Sequence, residues 1–132
     1  MKIQIAIHGK GGQGVKKAAE IMMKTALLSN PNLHIALGQD YDTVVVGGIS
    51  KAFLILSDEP IINPIVETPD IVIEIAAGKK SIFSIGTIAD KEIASWVFRK
   101  ETLEQIIRQT FTGKTLEKNL KEFKNGQVQS CT

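Results

Sequence analysis

The stretch Lys2-Ile3-Gln4-Ile5-Ala6-Ile7-His8-Gly9-Lys10-Gly11-Gly12-Gln13-Gly14-Val15 decides the reading of this chain. Its first half is a short β-favouring run, and the glycines that follow end it by relieving the steric limits on the backbone. From Val15 to Leu28 the apolar residues Val15, Ala18, Ala19, Met22, Met23, Ala26 and Leu27 recur at helical spacing, opposite Lys16, Lys17, Glu20 and Lys24. Ser29-Asn30-Pro31-Asn32 breaks the helix, and Leu33 to Leu37 reads as a second strand. Strand, glycine loop, helix and strand in that order predict a parallel βαβ unit with a right-handed crossover.

Downstream, Gly38 to Gly48 reads as a loop, flanked at most by a short strand around Val44-Val45-Val46. Lys51 to Leu56 is a near-continuous apolar run, as expected of a strand covered on both faces, and Ser57-Asp58-Glu59-Pro60 ends it. Pro64 and Pro69 bracket a connection to another strand, Ile71 to Ala76, which stops around Gly78. Asp90 is placed to cap a helix reaching about Phe98, and Thr102 to cap one that buries Leu103, Ile106, Ile107 and Phe111. Gly113 separates this from a last helix over Thr115 to Lys124, with Gly126 as its stop. The expected fold class is α/β: a single Rossmann-like domain over residues 1–132, with a mainly parallel sheet, a glycine-rich first βα loop and a helical carboxyl end.

A length of 132 residues with 43% hydrophobic content suffices for one core and is short for two. The formal net charge of +2 gives no electrostatic bias toward nucleic acid or an anionic membrane. No run approaches the ~20 apolar residues a membrane helix needs. Gly9 interrupts the amino-terminal apolar run before a signal-peptide core forms, so a cytoplasmic protein is expected. Cys131, the single cysteine, allows neither an internal disulfide nor a metal cluster held by cysteines of this chain alone.

The glycine loop carries the chemical suggestion. Glycines let backbone N–H groups approach a phosphate, and the dipole of the following helix adds positive potential at its first turn. Gly9-x-Gly11-Gly12-x-Gly14 satisfies the G-x-G-x-x-G dinucleotide pattern in the required strand-to-helix setting. The plain alternative is a tight βα turn in which Gly14 only lets helix and strand pack. Asp40 is the late candidate for a ribose-binding acid. No Gly-Lys-Ser or Gly-Lys-Thr closes the loop, which excludes a Walker A sequence and leaves Lys10 as an exposed charge. His8 and His34 read as structural or solvated residues, not a metal pair, and Ser57-Asp58 as a strand terminator. Trp96 and Phe98 read as core packing, with a subunit contact as the alternative, and Cys131 as an incidental thiol.

His8-Gly9-Lys10-Gly11-Gly12-Gln13-Gly14-Val15 resembles the Gly-x-Gly-Gly-Gln-Gly signature that opens the gamma subunits or domains of pyruvate and other 2-oxoacid:ferredoxin oxidoreductases. Three further blocks follow the family's order: Gly47-Gly48-Ile49-Ser50-Lys51-Ala52, Ile55-Leu56-Ser57-Asp58-Glu59-Pro60-Ile61, and Pro69-Asp70-Ile71-Val72. Phe111-Thr112-Gly113-Lys114 and Asn119 to Gly126 are similar to its closing helices. Where the family usually has Tyr-Gly-Pro and an arginine before the paired glycines, this chain has Tyr41-Asp42-Thr43 and Val46. After Ala76 it passes through Ala77-Gly78-Lys79-Lys80 almost directly into the final helical region, as though a middle strand-helix-strand section were missing.

The resemblance implies a non-redox gamma subunit of an enzyme that decarboxylates pyruvate or a related 2-oxoacid to acyl-CoA. Thiamine diphosphate and iron–sulfur clusters are then expected in the partner alpha, beta and ferredoxin-like delta subunits, with ferredoxin as electron acceptor. For this chain it implies a part in assembly and coenzyme A as the candidate ligand. The site residues are then Gly9, Gly11, Gly12, Gln13 and Gly14 as a pyrophosphate cradle, with Gln13 and Ser50 as side-chain donors. No catalytic residue and no metal ligand is assigned. The competing readings are a free-standing dinucleotide-binding domain and an assembly or scaffold paralogue with no ligand.

Overall fold

A computed structural model describes residues 2–10, 14–41, 49–62, 68–75, 81–88 and 98–130, with backbone alone at 39–41, 49, 50, 88 and 128–130. β1 (Lys2–Lys10) is the first strand, and its alternation buries Ile3, Ile5 and Ile7 on one face while Lys2 and Lys10 stay exposed. α1 (Val15–Ser29) follows and buries Val15, Ala18, Ala19, Ile21, Met22 and Ala26. The turn at Asn30 ends it, its N–H donating to the Ala26 carbonyl. β2 (His34–Tyr41) and β3 (Ile49–Ser57) come next, then the short β4 (Ile71–Glu74). α2 (Ser81–Ile88), α3 (Lys100–Thr110) and α4 (Gly113–Ser130) complete the described elements.

The sheet runs β2-β3-β1-β4, and its pairing corrects the expectation of a mainly parallel sheet. β3 is antiparallel to both β1 and β2, and only β1 and β4 are parallel. The reason lies in connection length. Residues 42–48 are too few for a parallel crossover, which needs roughly a dozen, so β2 and β3 must pair as a hairpin. β1 and β2 do point the same way, but β3 lies between them, so the predicted βαβ unit is split. β2 also extends through Gly38 to Tyr41, which the sequence reading assigned to a loop.

At the β4 edge, a reciprocal clamp sets the parallel register. The Gln4 N–H donates to Asp70 Oδ2 at 2.8 Å, and the Asp70 N–H donates to the Gln4 carbonyl at 2.7 Å. The Ile75 N–H closes the far end on the His8 carbonyl at 2.9 Å. β4 stops at Glu74, slightly short of the expected Ala76.

One face of the sheet presents Ile3, Ile5, Ile7, Ala52, Leu54, Leu56 and Ile73, and these join a single core cluster with Met22 of α1, Ile85 of α2, Ile107 of α3 and Phe123 of α4. Among the described residues, the helices therefore supply one layer over one sheet face. Phe98 is fully buried in the same cluster, in keeping with its reading as a core residue. On the opposite face, Ala6 and Ile55 are buried, and Gln4 Oε1 is buried without a partner among the described residues.

The helix assignments need three corrections. Thr102 is not a cap: α3 begins at Lys100, its cap residue Arg99 makes no side-chain bond, and Leu103 N–H donates to the Arg99 carbonyl. Gly126 does not stop the last helix, because α4 runs through it to Ser130 and uses the missing side chain to approach α2. α2 itself was not anticipated; its residues 81–86 are all buried, leaving no polar face to set a helical period. The helix expected from Asp90, together with Trp96 and Cys131, lies outside the described residues.

Candidate functional site

Gly14 is the residue on which the site turns. It occupies the left-handed region at φ 84° and ψ 34°, where a side chain is strained, and there it caps α1. Helical bonding starts with Ala18 N–H to the Gly14 carbonyl at 2.9 Å, so the N–H groups of the preceding turn have no partner within the helix. No acidic residue sits in that first turn; Lys16 and Lys17 do.

A cavity of about 400 Å³ opens beside this turn. Gly14 and Lys17 line it from α1, Ser81 and Ile82 from the start of α2, and Lys114, Lys118, Asn119 and Glu122 from α4. Ser81 is only 3% exposed, and its Oγ would stand 2.9 Å from a Cβ added at Gly14. The first turns of α2 and α4 carry no acidic residue either. Among the described lining residues three lysines thus face one carboxylate, around a cavity bounded by the first turns of α1 and α2, the amino-terminal half of α4 and Phe111 at the carboxyl end of α3, and this charge balance suits an anion. Lys17 also approaches Glu20 at 3.7 Å, but both side chains are substantially exposed and this pair is weak.

The predicted site residues are only partly brought together. Gly9 and Ser50 are register partners across β1 and β3, which places the end of the first strand against the start of the third. Gly14 lines the cavity, and Gly9 is not among its described lining residues. Gly11, Gly12 and Gln13 lie outside the described residues, as does the Ser50 side chain. Asp40 lies opposite Lys51 in the β2–β3 pairing. The sequence reading did not single out Lys17, Ser81, Lys114 and Lys118, which line the cavity. Lys114 and Lys118, spaced i,i+4 on one helix face, were the available signal.

His8 and His34 stand toward opposite ends of the sheet, paired in register with Lys51 and Ser57 respectively. Among the described residues no group of three or more His, Cys, Asp or Glu side chains is placed to hold a metal. Ser57 Oγ accepts the Glu59 N–H at 3.0 Å, so Ser57-Asp58 terminates β3 through a local turn, as its spacing suggested. No described helix is long and apolar enough to cross a membrane.

A mixed α/β module with a glycine-capped helix beside a cationic cavity is thus the class of protein the fold defines. The chain belongs to the pyruvate ferredoxin/flavodoxin oxidoreductase family, whose sequence pattern matches residues 4–84. It is 40% identical over 73 residues to the 2-oxoglutarate synthase subunit KorC of Methanothermobacter marburgensis, a match covering 55% of this chain and 39% of that one. The chain thus spans about two fifths of the length of the curated relatives it matches. In fold it is similar to 2-oxoglutarate:ferredoxin oxidoreductase from Magnetococcus marinus, solved with 2-oxoglutarate, coenzyme A and succinyl-CoA bound. That match has a TM-score of 0.79 at 13% identity and covers 98% of this chain and 31% of that one. The gamma subunit of a keto/oxoacid ferredoxin oxidoreductase from Geobacter sulfurreducens superposes at a TM-score of 0.68 and 19% identity, covering 99% and 97% of the two chains. At these identities the likeness to the solved structures is one of fold.

Proposed function

We propose that this chain is a gamma-type subunit of a 2-oxoacid:ferredoxin oxidoreductase, forming one domain over residues 1–132 that completes the enzyme without performing its redox step. The observation that carries the reading is the family match over residues 4–84, which begins in β1 and runs through the glycine loop into α2. Thiamine diphosphate and iron–sulfur clusters belong to the alpha, beta and delta partners on this reading, since a chain with one cysteine cannot ligate such a cluster alone. Ferredoxin accepts the electrons of the assembled enzyme in the cytoplasm.

The 2-oxoacid is pyruvate or a related acid. The curated relatives carry the name 2-oxoglutarate synthase, which makes 2-oxoglutarate the first substrate to assay. Coenzyme A is the proposed ligand, with Gly9, Gly11, Gly12, Gln13 and Gly14 cradling its pyrophosphate and Ser50 as an additional donor. The left-handed Gly14 and the N–H groups that follow it, which have no partner within the helix, support this reading, because they fit an anion at the helix start.

An assembly paralogue with no ligand is the second reading, favoured by the direct run from Ala76 into α2 where the family has a longer middle section. Anaerobic affinity purification of the tagged chain from its native cells, with mass spectrometry, tests the proposal. Thiamine-diphosphate and iron–sulfur subunits should co-purify; recovery of the chain without them contradicts the subunit reading.

A further inference from the structure

The two edges of the sheet are built differently. Among the described residues β2 pairs only with β3 and β4 only with β1. β4 is blunted as edge strands usually are: it has four residues, is led in by Pro69 and the Asp70 clamp, and ends on Glu74. β2 has none of these devices. Its eight residues contain no proline, lysine or arginine, and Asp40 is its single acid. Apolar surface continues beside it, where Ile35 and Leu37 are only partly buried on the helix-covered face. α1, which packs on β2 and β3, presents half-buried Met23 and 41%-exposed Leu27 one turn apart, on the flank opposite the buried Ile21 and Thr25. A long apolar edge of this kind accepts another strand.

We propose that the β2 edge is where two copies of this chain join, antiparallel strand to strand about a two-fold axis at Leu37, merging their sheets into one. The sequence of β2 is self-complementary in that register. Leu37 meets Leu37 of the second copy, Ala36 meets Gly38, Ile35 meets Gln39, and His34 meets Asp40 at both ends of the seam. Imidazole and carboxylate pair as donor and acceptor, and no like charges stand opposite one another. Position 40 already lies opposite Lys51 within the chain, so Asp40 falls between Lys51 and the second copy's His34. A register centred on Gly38 instead sets Ala36 opposite Asp40 and loses the His34 pair. The two-fold axis keeps the helices of both copies on one side of the joined sheet, where the Met23 and Leu27 flanks of the two α1 helices face each other across the seam.

Sedimentation velocity of the full chain over a range of concentrations tests this, because the dimer needs no oxidoreductase subunit to form. A monomer–dimer equilibrium is expected. His34→Asp sets acid against acid at both ends of the seam and should weaken the dimer about tenfold, and adding Asp40→His should restore most of the affinity. His34 is exposed, so its replacement leaves the fold intact. Hydrogen exchange gives a second readout: amides of β2 should exchange more slowly as concentration rises, while those of β4 do not change. A chain that stays monomeric, a dimer indifferent to the charge swap, or protection gained at β4 instead overturns the proposal. If a monomeric chain gains protection in β2 only when co-purifying subunits are added, a strand of another subunit takes the edge; the two-copy proposal then falls and the subunit reading stands.

Discussion

A Cβ placed on Gly126 of α4 would stand 3.1 Å from the Cα of Gly86 in α2 and would overlap the carbonyl oxygen of Phe83. One placed on Gly86 would overlap the carbonyl oxygen of Phe123. The two helices therefore touch backbone to backbone, and neither obstructing atom is a side chain that can rotate away. Gly86→Ala and Gly126→Ala should each destabilise the fold by about 1–3 kcal/mol through overpacking. An exposed helical glycine changed to alanine would instead gain up to about 1 kcal/mol. Urea unfolding measures the sign. The double variant should cost less than the sum, because both methyl groups force the same separation; a stabilised single variant would refute the close crossing.

Gly14 tests backbone conformation more than space. Its φ of 84° is costly for any other residue, by about 1–2 kcal/mol. Among the described residues the only side-chain obstacle within reach is Ser81, whose hydroxyl can turn. Gly14→Asn should therefore cost less than Gly14→Val, since asparagine tolerates the left-handed region and a β-branched residue does not. Equal unfolding midpoints for the two would contradict the conformation.

Asp70 holds the edge strand. Asp70→Ala removes the bond to the Gln4 N–H, which is exposed, and should cost about 1 kcal/mol. The effect should be local: hydrogen exchange at Ile71 to Glu74 should rise well before exchange in β3 changes. Uniform acceleration across the sheet would show that the clamp serves the whole fold instead.

Leu54 in β3 and Leu103 in α3 are both fully buried in the one core cluster. Alanine at either position should cost about 2–5 kcal/mol. If residues 1–132 form one domain, both variants should shift a single cooperative transition. A separate early transition in Leu103→Ala alone would divide the carboxyl-terminal helices from the sheet.

How far the sequence could be read depended on the range of the forces involved. β1, α1 and β3 were legible because alternation, helical periodicity and a long apolar run are local signals. Sheet order was not, since nothing in β1 or β2 alone says that β3 will lie between them; that follows from the short connection forcing a hairpin. Gly126 was misread because a glycine near a helix end signals a stop unless another backbone needs its space, and Gly86 was invisible as that partner. Gly14 was singled out from its loop, and it lines the cavity. Lys114, Lys118 and Ser81 were not, because only the packing of α2 and α4 against the start of α1 brings them to the same cavity.

The most direct test of the central claim is reconstitution. The purified chain should be combined anaerobically with the alpha, beta and delta subunits encoded in the same cells, and 2-oxoacid- and coenzyme-A-dependent dye reduction assayed with and without it. Activity that requires the chain, with 2-oxoglutarate or pyruvate as electron donor, is the predicted result. Full activity in its absence, together with no stable association, would contradict its place as a subunit of the enzyme.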